Sequence, residues 1–272
     1  MKLKPLISLS AMLLLAFSIM FVVSLRRENI PLWDGAELTV PTIADELFGS
    51  GGVTADTAAM ATADKPDGND VETAPIANVR QPMDTTAKTI LFIGDSMLDG
   101  LQPRMAAYAA HNGHKLYGVR WYSSTTEVWG RSTRLAQFIK QYNPDYVLVC
   151  LGSNELFVRD IKSKRQRYLD EILSQIGSLP YIWIGPPNWK DDTGINEMLE
   201  STCRKGSFYL SKNDTFQRAK DGAHPTKASA ALWCDRVCDW IVNTSYYPIR
   251  LDKPIEKYGK STGTVVLQPN QK

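Results

Sequence analysis

Short apolar runs alternate with longer helical patterns along residues 89–242, and this alternation limits the fold more than any other feature of the chain. Turn-forming residues bound each run, which is typical of buried strands. Alternating strands and helices indicate a parallel sheet with helices on both faces, so we predict an α/β fold, a three-layer α/β/α sandwich with about five strands. The predicted strands are 89–93, 115–122, 146–151, 181–184 and 208–210, and the predicted helices are 97–112, 131–142, 164–176 and 226–242.

Three polar motifs accompany these elements. Gly-Asp-Ser at 94–96 follows the first strand, Gly-Ser-Asn at 152–154 follows the third, and Asp-Gly-Ala-His at 221–224 precedes the last helix. Ligands of parallel sheets bind at the carboxyl ends of the strands, where the first two motifs fall. An Asp three residues before a His can orient the imidazole toward a serine hydroxyl, and an Asn can donate to a developing oxyanion. The motifs therefore predict a nucleophile, a base, an orienting carboxylate and an oxyanion donor.

These motifs, in this order over residues 87–245, resemble the SGNH (GDSL-type) hydrolase superfamily. The resemblance implies a flavodoxin-like sandwich with Ser96 as nucleophile, His224 as base and Asp221 as the residue that orients His224. It also implies an oxyanion hole that uses the Ser96 N–H and Asn154. The Gly-x-Ser-x-Gly elbow of α/β-hydrolases is absent around Ser96, which argues against that fold.

The second strand is where the chain departs from the family. Members carry a glycine after this strand whose N–H joins the oxyanion hole, whereas residues 122–129 contain no glycine. The residues nearest the expected position are Thr125 and Thr126. Gly130 comes a few residues later and is our candidate for the second oxyanion donor.

Other residues near the strand ends have less specific roles. Trp129 and Trp189 follow the second and fourth strands, so they either bind a sugar ring of the substrate or cover the rim of the core. Asp95 is expected to brace the serine turn. His111 and His114 are expected to have surface or capping roles, because no carboxylate or thiol close in sequence completes a metal site. We expect neither a metal nor a cofactor.

The N-terminal region predicts where the domain resides. Residues 5–25 carry no charge and span about 31 Å as a helix, which matches a bilayer core of about 30 Å. We interpret residues 1–30 as an uncleaved signal anchor in the membrane, with the catalytic domain exported to the periplasm or outside the cell; a cleaved signal peptide is the alternative. Residues 31–86 are expected to be a flexible linker, 87–245 the catalytic domain, and 246–272 a loosely ordered tail.

Composition excludes some partners. The 272-residue chain has a net charge of only +2 and no basic run interleaved with aromatic residues, so nucleic acid is not an expected partner. The basic cluster at 162–167 is interpreted as a solvated helix face. A disulfide from Cys203 to Cys234 or Cys238 is left open, and Cys150 is expected to be a buried apolar side chain.

Together these features predict an exported serine esterase that removes O-acyl groups, most plausibly acetyl, from a cell-envelope polysaccharide. The first alternative is an O-acyltransferase that works with a multi-span membrane acyltransferase. The second is a non-catalytic, tethered glycan-binding module, against which an intact Ser96, Asp221 and His224 count.

Overall fold

A computed structural model describes residues 80–269 together with residues 30, 31, 37 and 38. The chain divides into two compact units, Met1–Asp70 and Val71–Lys272. In the first unit, the two-residue strands Ile30–Pro31 and Glu37–Leu38 pair antiparallel. The anchor predicted at 5–25 lies outside the described residues, as does most of the predicted linker. Among the helices that the structure describes, none has the length and apolar character needed to cross a membrane.

The second unit is built on a six-stranded sheet in which all paired strands are parallel. The spatial order is β5-β4-β3-β1-β2-β6, and the first five strands have the 2-1-3-4-5 order of flavodoxin-like folds. The predicted α/β class and three-layer architecture are confirmed, with one strand more than predicted. The strands are β1 Thr89–Gly94, β2 Lys115–Trp121, β3 Tyr146–Cys150, β4 Tyr181–Ile184, β5 Phe208–Tyr209 and β6 Gly263–Leu267.

Helices cover both faces of this sheet because its central strands are apolar on both sides. Ile90 and Phe92 of β1 belong to the core beneath α1 and α6, whereas Leu91 and Ile93 belong to the core beneath the other four helices. The predicted helix 131–142 is observed as Arg134–Tyr142, whereas the short helix Thr126–Gly130 before it and the helix Ile195–Thr202 were not predicted. The helices are α1 Leu98–His111, α2 Thr126–Gly130, α3 Arg134–Tyr142, α4 Ile161–Ile176, α5 Ile195–Thr202 and α6 Lys227–Asn243.

The segment after residue 245 corrects the prediction of a loosely ordered tail. β6 pairs in parallel with β2 along the edge of the sheet. Before it, Ile249 bridges to Asp84, whose N–H donates to the Pro248 carbonyl at 2.9 Å. The chain immediately before β1 is therefore bound to the chain after α6, and both belong to the domain.

The buried side chain of His114 links this C-terminal segment to the chain before β1 through hydrogen bonds. Its Nδ1 accepts the Lys88 N–H at 3.0 Å, and its Nε2 lies 2.7 Å from the Arg250 carbonyl. With both nitrogens used this way the ring is neutral, and burial lowers the pKa of His114. Of the surface or capping roles predicted for the two histidines, the surface one is wrong for His114, which is buried and bonded to backbone groups, whereas His111 is exposed.

All four cysteines lie within the described residues, where each is buried and unpaired. Cys234 and Cys238 face the core from α6, and Cys203 lies in the core on the opposite face of the sheet. The sheet thus separates Cys203 from both of its possible disulfide partners. Burial raises the pKa of Cys203 to about 12, which disfavours its reactive thiolate.

Candidate active site

Ser96 lies in the turn that joins β1 to α1, at the carboxyl edge of the sheet. The turn is closed by its own backbone, because Leu98 N–H donates to the Asp95 carbonyl at 3.2 Å and Asp99 N–H to the Ser96 carbonyl at 3.0 Å. No hydrogen bond within residues 80–269 uses the Ser96 N–H. A serine placed this way presents both its hydroxyl and its own amide to an incoming group.

His224 contacts both Ser96 and Asp221. Its Nε2 lies 2.8 Å from Ser96 Oγ, and its Nδ1 lies 2.8 Å from Asp221 Oδ2. These are ordinary hydrogen-bond distances, so the three side chains form one continuous chain from hydroxyl to carboxylate. The motifs at 94–96 and 221–224, 128 positions apart for Ser96 and His224, therefore meet at one point in the fold.

The loop that carries His224 is held by hydrogen bonds to its backbone. Asp221 Oδ1 accepts the N–H of His224 at 3.0 Å and that of Ala223 at 2.9 Å. These two bonds, followed by the His224 ring, lower the pKa of Asp221 to about 2, so the carboxylate is charged at neutral pH. Arg218 donates to the carbonyls of Ala223 and Asn188, which fastens the loop to the chain after β4.

Asp95 is buried beside the serine and braces the turn, as predicted. Its Oδ1 accepts the Met97 N–H at 2.9 Å. Burial raises the pKa of Asp95 to about 7, and the Met97 N–H acts in the opposite direction. Its other oxygen lies 3.5 Å from Asn154 Nδ2, so Asp95 connects the turn after β1 to the loop after β3.

Asn154 lies between two of the turns at this edge of the sheet. Its Nδ2 donates to the Ser124 carbonyl at 2.9 Å, and its 3.5 Å separation from Asp95 is at the limit of a hydrogen bond. Since Nδ2 carries two hydrogens, one is firmly bound and the other is only weakly engaged. The structure therefore places the Asn154 amide between the Ser96 turn and the turn after β2, and its role as an oxyanion donor stays a prediction.

Gly130 does not occupy the position expected of an oxyanion donor. It ends the short helix α2, where a Cβ atom would lie only 2.6 Å from the Tyr168 carbonyl oxygen of α4. A glycine is required there because the two helices approach so closely. Its role is therefore in helix packing, and the candidate assignment is corrected.

The turn after β2 presents a carbonyl group, not an N–H, to Asn154. Ser124 N–H donates back to the Trp121 carbonyl at 3.1 Å, while the Ser124 carbonyl faces Asn154. Because a trans peptide points its C=O and N–H in opposite directions, the N–H of Thr125 points away from the Asn154 amide. Asn154 Nδ2 faces this turn, and the Ser96 N–H has no hydrogen-bond partner among the described residues.

The two tryptophans have different surroundings. Trp129 is fully buried, and its Nε1 donates to Ser124 Oγ at 3.0 Å, so it supports the turn and cannot stack on a substrate. Trp189 is half-buried, and its Nε1 donates to the Ser153 carbonyl at 2.9 Å. The predicted substrate role is thus wrong for Trp129, whereas Trp189 lies beside the loop that carries Asn154.

Phe157 is a residue that the sequence analysis missed. Its side chain is 56% exposed and meets the Trp189 ring edge to face, with 6.5 Å between the ring centroids. Lys190 Nζ lies 4.9 Å from the centroid of Trp189 and 5.7 Å from that of Phe157. The sequence did contain a signal for Phe157, because it is a large aromatic residue three positions after Asn154 in a loop without apolar periodicity.

Comparisons with known proteins give little direct guidance. No family model matches the chain, and no curated protein matches it. A crystal structure of the psychrotrophic esterase EstA from Pseudoalteromonas sp., inhibited by monoethylphosphonate, is similar with 22% sequence identity and a TM-score of 0.43; the match covers 56% of this chain and 96% of that one. The chemical interpretation of the site therefore depends on the geometry of its own residues.

Proposed function

We propose that this protein is a serine ester hydrolase of the SGNH type. The observation that carries the proposal is the continuous hydrogen-bonded chain from Ser96 through His224 to Asp221 at the carboxyl edge of a parallel sheet. A hydroxyl is a weak nucleophile until a neighbouring base takes its proton, and the carboxylate keeps the imidazole in the required tautomer. Such a chain has no evident use in a purely glycan-binding module.

The geometry supports a two-step acyl transfer. Ser96 Oγ attacks the ester carbonyl while His224 Nε2 accepts the hydroxyl proton, and the tetrahedral oxyanion is stabilised by Ser96 N–H and Asn154 Nδ2. His224 then gives the proton to the leaving alkoxide, which leaves an acyl-Ser96. In the second step water attacks this ester, its proton passes to His224 and then to Ser96 Oγ, and the acid is released.

We further propose that the substrate is an O-acyl group, acetyl in particular, on a cell-envelope polysaccharide. The catalytic side chains lie near the surface, with His224 36% and Asp221 51% exposed, which suits an acyl group on a bulky polymer. Phe157 and Trp189 beside Asn154 provide an aromatic surface for a sugar ring. The apolar stretch at 5–25 supports an exported, membrane-anchored location.

A fluorophosphonate probe combined with acetate release from an acetylated glycan tests this function. The full-length protein should be labelled at Ser96 and should release acetate steadily, whereas Ser96→Ala should do neither. His224→Ala should lose both activities, while His111→Ala, which removes an exposed histidine at the opposite end of α1 from Ser96, should retain them. Unchanged labelling of Ser96→Ala would refute the mechanism.

The same assay separates hydrolysis from acyl transfer to a glycan. A stoichiometric burst, followed by negligible hydrolysis that accelerates when a glycan acceptor is added, would replace the esterase with an O-acyltransferase. Steady acetate release without an acceptor supports the esterase.

A further inference from the structure

Glu155, the residue after Asn154, is a fully buried carboxylate that the reaction above does not use. Its Oε2 accepts the Thr126 N–H at 2.8 Å, and its Oε1 accepts the Thr126 hydroxyl at 2.8 Å. Oε1 also accepts Arg165 Nε at 2.7 Å. Three donors therefore converge on one carboxylate directly behind the proposed oxyanion donor.

Asn154 and Glu155 hold the turn after β2 at two points. Asn154 Nδ2 binds the Ser124 carbonyl, and Glu155 binds both the N–H and the hydroxyl of Thr126. Two consecutive residues of one loop thus contact alternate residues of the other. This double attachment fixes the distance and orientation between the loop that carries Asn154 and the turn that faces it.

Arg165 pairs with the buried carboxyl group of Glu155. It comes from the basic cluster at 162–167, yet its side chain is only 18% exposed, and its Nη1 also lies 2.9 Å from Glu127 Oε2. The interpretation of the cluster as a solvated face is therefore wrong for this member. Burial raises the pKa of Glu155, while the Thr126 donors and Arg165 act in the opposite direction.

A buried ion pair of this kind is weak evidence for stability, because desolvation offsets much of the Coulombic attraction. Such a pair does fix the orientation of the carboxylate, because each of its oxygens accepts hydrogen bonds from donors in defined positions. The donors here belong to the turn after β2 and to α4, and the acceptor belongs to the residue that follows Asn154. The arrangement therefore acts on the position of the Asn154 amide.

We propose that Glu155, held by Arg165, is a positioning residue that sets the Asn154 amide for oxyanion binding by latching its loop to Thr126. The inference rests on the proposed function, because it assumes that Asn154 donates to the oxyanion. It touches no reacting atom itself. A misplacement of about 1 Å in a catalytic group can cost about 100-fold in rate, so loss of the latch should lower kcat by about 10- to 100-fold.

Three substitutions test the latch from its different ends. Glu155→Gln replaces one accepting oxygen with an NH₂ group, Thr126→Val removes the hydroxyl while keeping the shape, and Arg165→Gln removes the guanidinium. Lys164→Gln is the matched control for the last, because Lys164 is an exposed cation on the same helix whose ammonium group, among the residues that the structure describes, pairs with the exposed Asp160 and a backbone carbonyl and with no other group. Thr126→Ser restores the hydroxyl and is the rescue variant.

Steady-state kinetics and the rate of fluorophosphonate labelling should be measured on the folded full-length proteins. Glu155→Gln, Thr126→Val and Arg165→Gln should lower kcat with KM within about twofold of the wild type, as expected for a loss felt only in the transition state. Labelling should slow in parallel, and Thr126→Ser and Lys164→Gln should react at rates close to the wild type.

Two other results would overturn the proposal. One is a lower melting temperature with kcat unchanged in the folded protein, which would give Glu155 a structural role only. The other is a raised KM with kcat intact. If the wild-type protein neither hydrolyses esters nor is labelled at Ser96, the proposed function fails and the positioning role fails with it. If the wild-type protein is active and Glu155→Gln is equally active, only the positioning role fails.

Discussion

Two aspartates lie near Ser96, the proposed nucleophile, and their surroundings are opposite. Asp95 precedes Ser96 in the chain and has no exposed surface, and burial raises its pKa to about 7. Asp221 reaches Ser96 only through His224 and is half exposed, yet its pKa falls to about 2 because it accepts two backbone N–H groups and the His224 ring. Hydrogen-bond donors thus keep one carboxylate charged where orientation of a base requires it, and burial makes the other a structural brace.

The largest loss of activity is expected for Asp221→Asn, which changes the exposed aspartate of the two. The amide cannot hold the same histidine tautomer, so kcat should fall by up to about 10⁴-fold, as for other serine triads. Steady-state hydrolysis of a small acetyl ester measures the change. A loss of less than about tenfold in kcat would mean that Asp221 contributes little to catalysis and that another group orients His224.

On the buried side, Asn154→Ala should lower kcat by about 10²–10³ with little change in KM, since it removes an oxyanion donor. Comparing this loss of kcat with that of Asp221→Asn shows which of the two residues contributes more to stabilising the transition state. A raised KM with kcat intact would instead make Asn154 a substrate-binding residue.

The opposite pKa shifts predict opposite dependences of stability on pH. The folded pKa of Asp95 lies above its ordinary value of 3.8, so its stabilising contribution is present below pH 3.8 and is lost as the pH rises through about 7. The folded pKa of Asp221 lies below 3.8, so its contribution is present above that pH and is lost as the pH falls through about 2.

Urea unfolding of the wild type, Asp95→Asn and Asp221→Asn across this range measures both slopes. Asp95→Asn should remove the decline between pH 4 and 7, and Asp221→Asn should remove part of the loss in strong acid. If Asp95→Asn leaves the neutral slope as it is, the carboxyl of Asp95 is ionised throughout and the contrast between the two sides disappears.

The smallest effect concerns the aromatic surface next to Asn154. Phe157→Ala should raise KM for an acetylated polysaccharide by about two- to twelvefold, since an aromatic contact contributes about 0.5–1.5 kcal/mol. The KM for a small acetyl ester should not change, because that substrate does not extend to Phe157. Leu232→Ala, which truncates an equally exposed apolar side chain on α6, should affect neither substrate.

Much of the fold could be predicted because each central strand is a short apolar run between turn formers. β6 was missed because only three apolar residues, 265–267, mark it, and because proline and glycine residues precede it. Among the site residues, Ser96, Asn154 and His224 were found because each follows a strand or precedes a helix at a motif. Gly130 and Trp129 were assigned to the site because they follow the second strand closely in sequence. This assignment was wrong because both lie on α2, where Gly130 contacts α4 and Trp129 is buried.

Glu155 could not be predicted from its neighbours. A glutamate after a strand is ordinarily a surface residue, and its three donors come from a turn 29 positions earlier and a helix ten positions later. Only the folded chain brings these groups together.

The entry of the chain into the domain has a practical consequence. Residues 80–88 join the sheet at the amino end of β1, and Ser96 follows the carboxyl end of the same strand. Six residues of strand separate these ends by about 20 Å. A bead attached at residue 80 therefore lies at the opposite end of β1 from Ser96, so protein immobilised there is suited to assays on polymers too large to diffuse into a confined site.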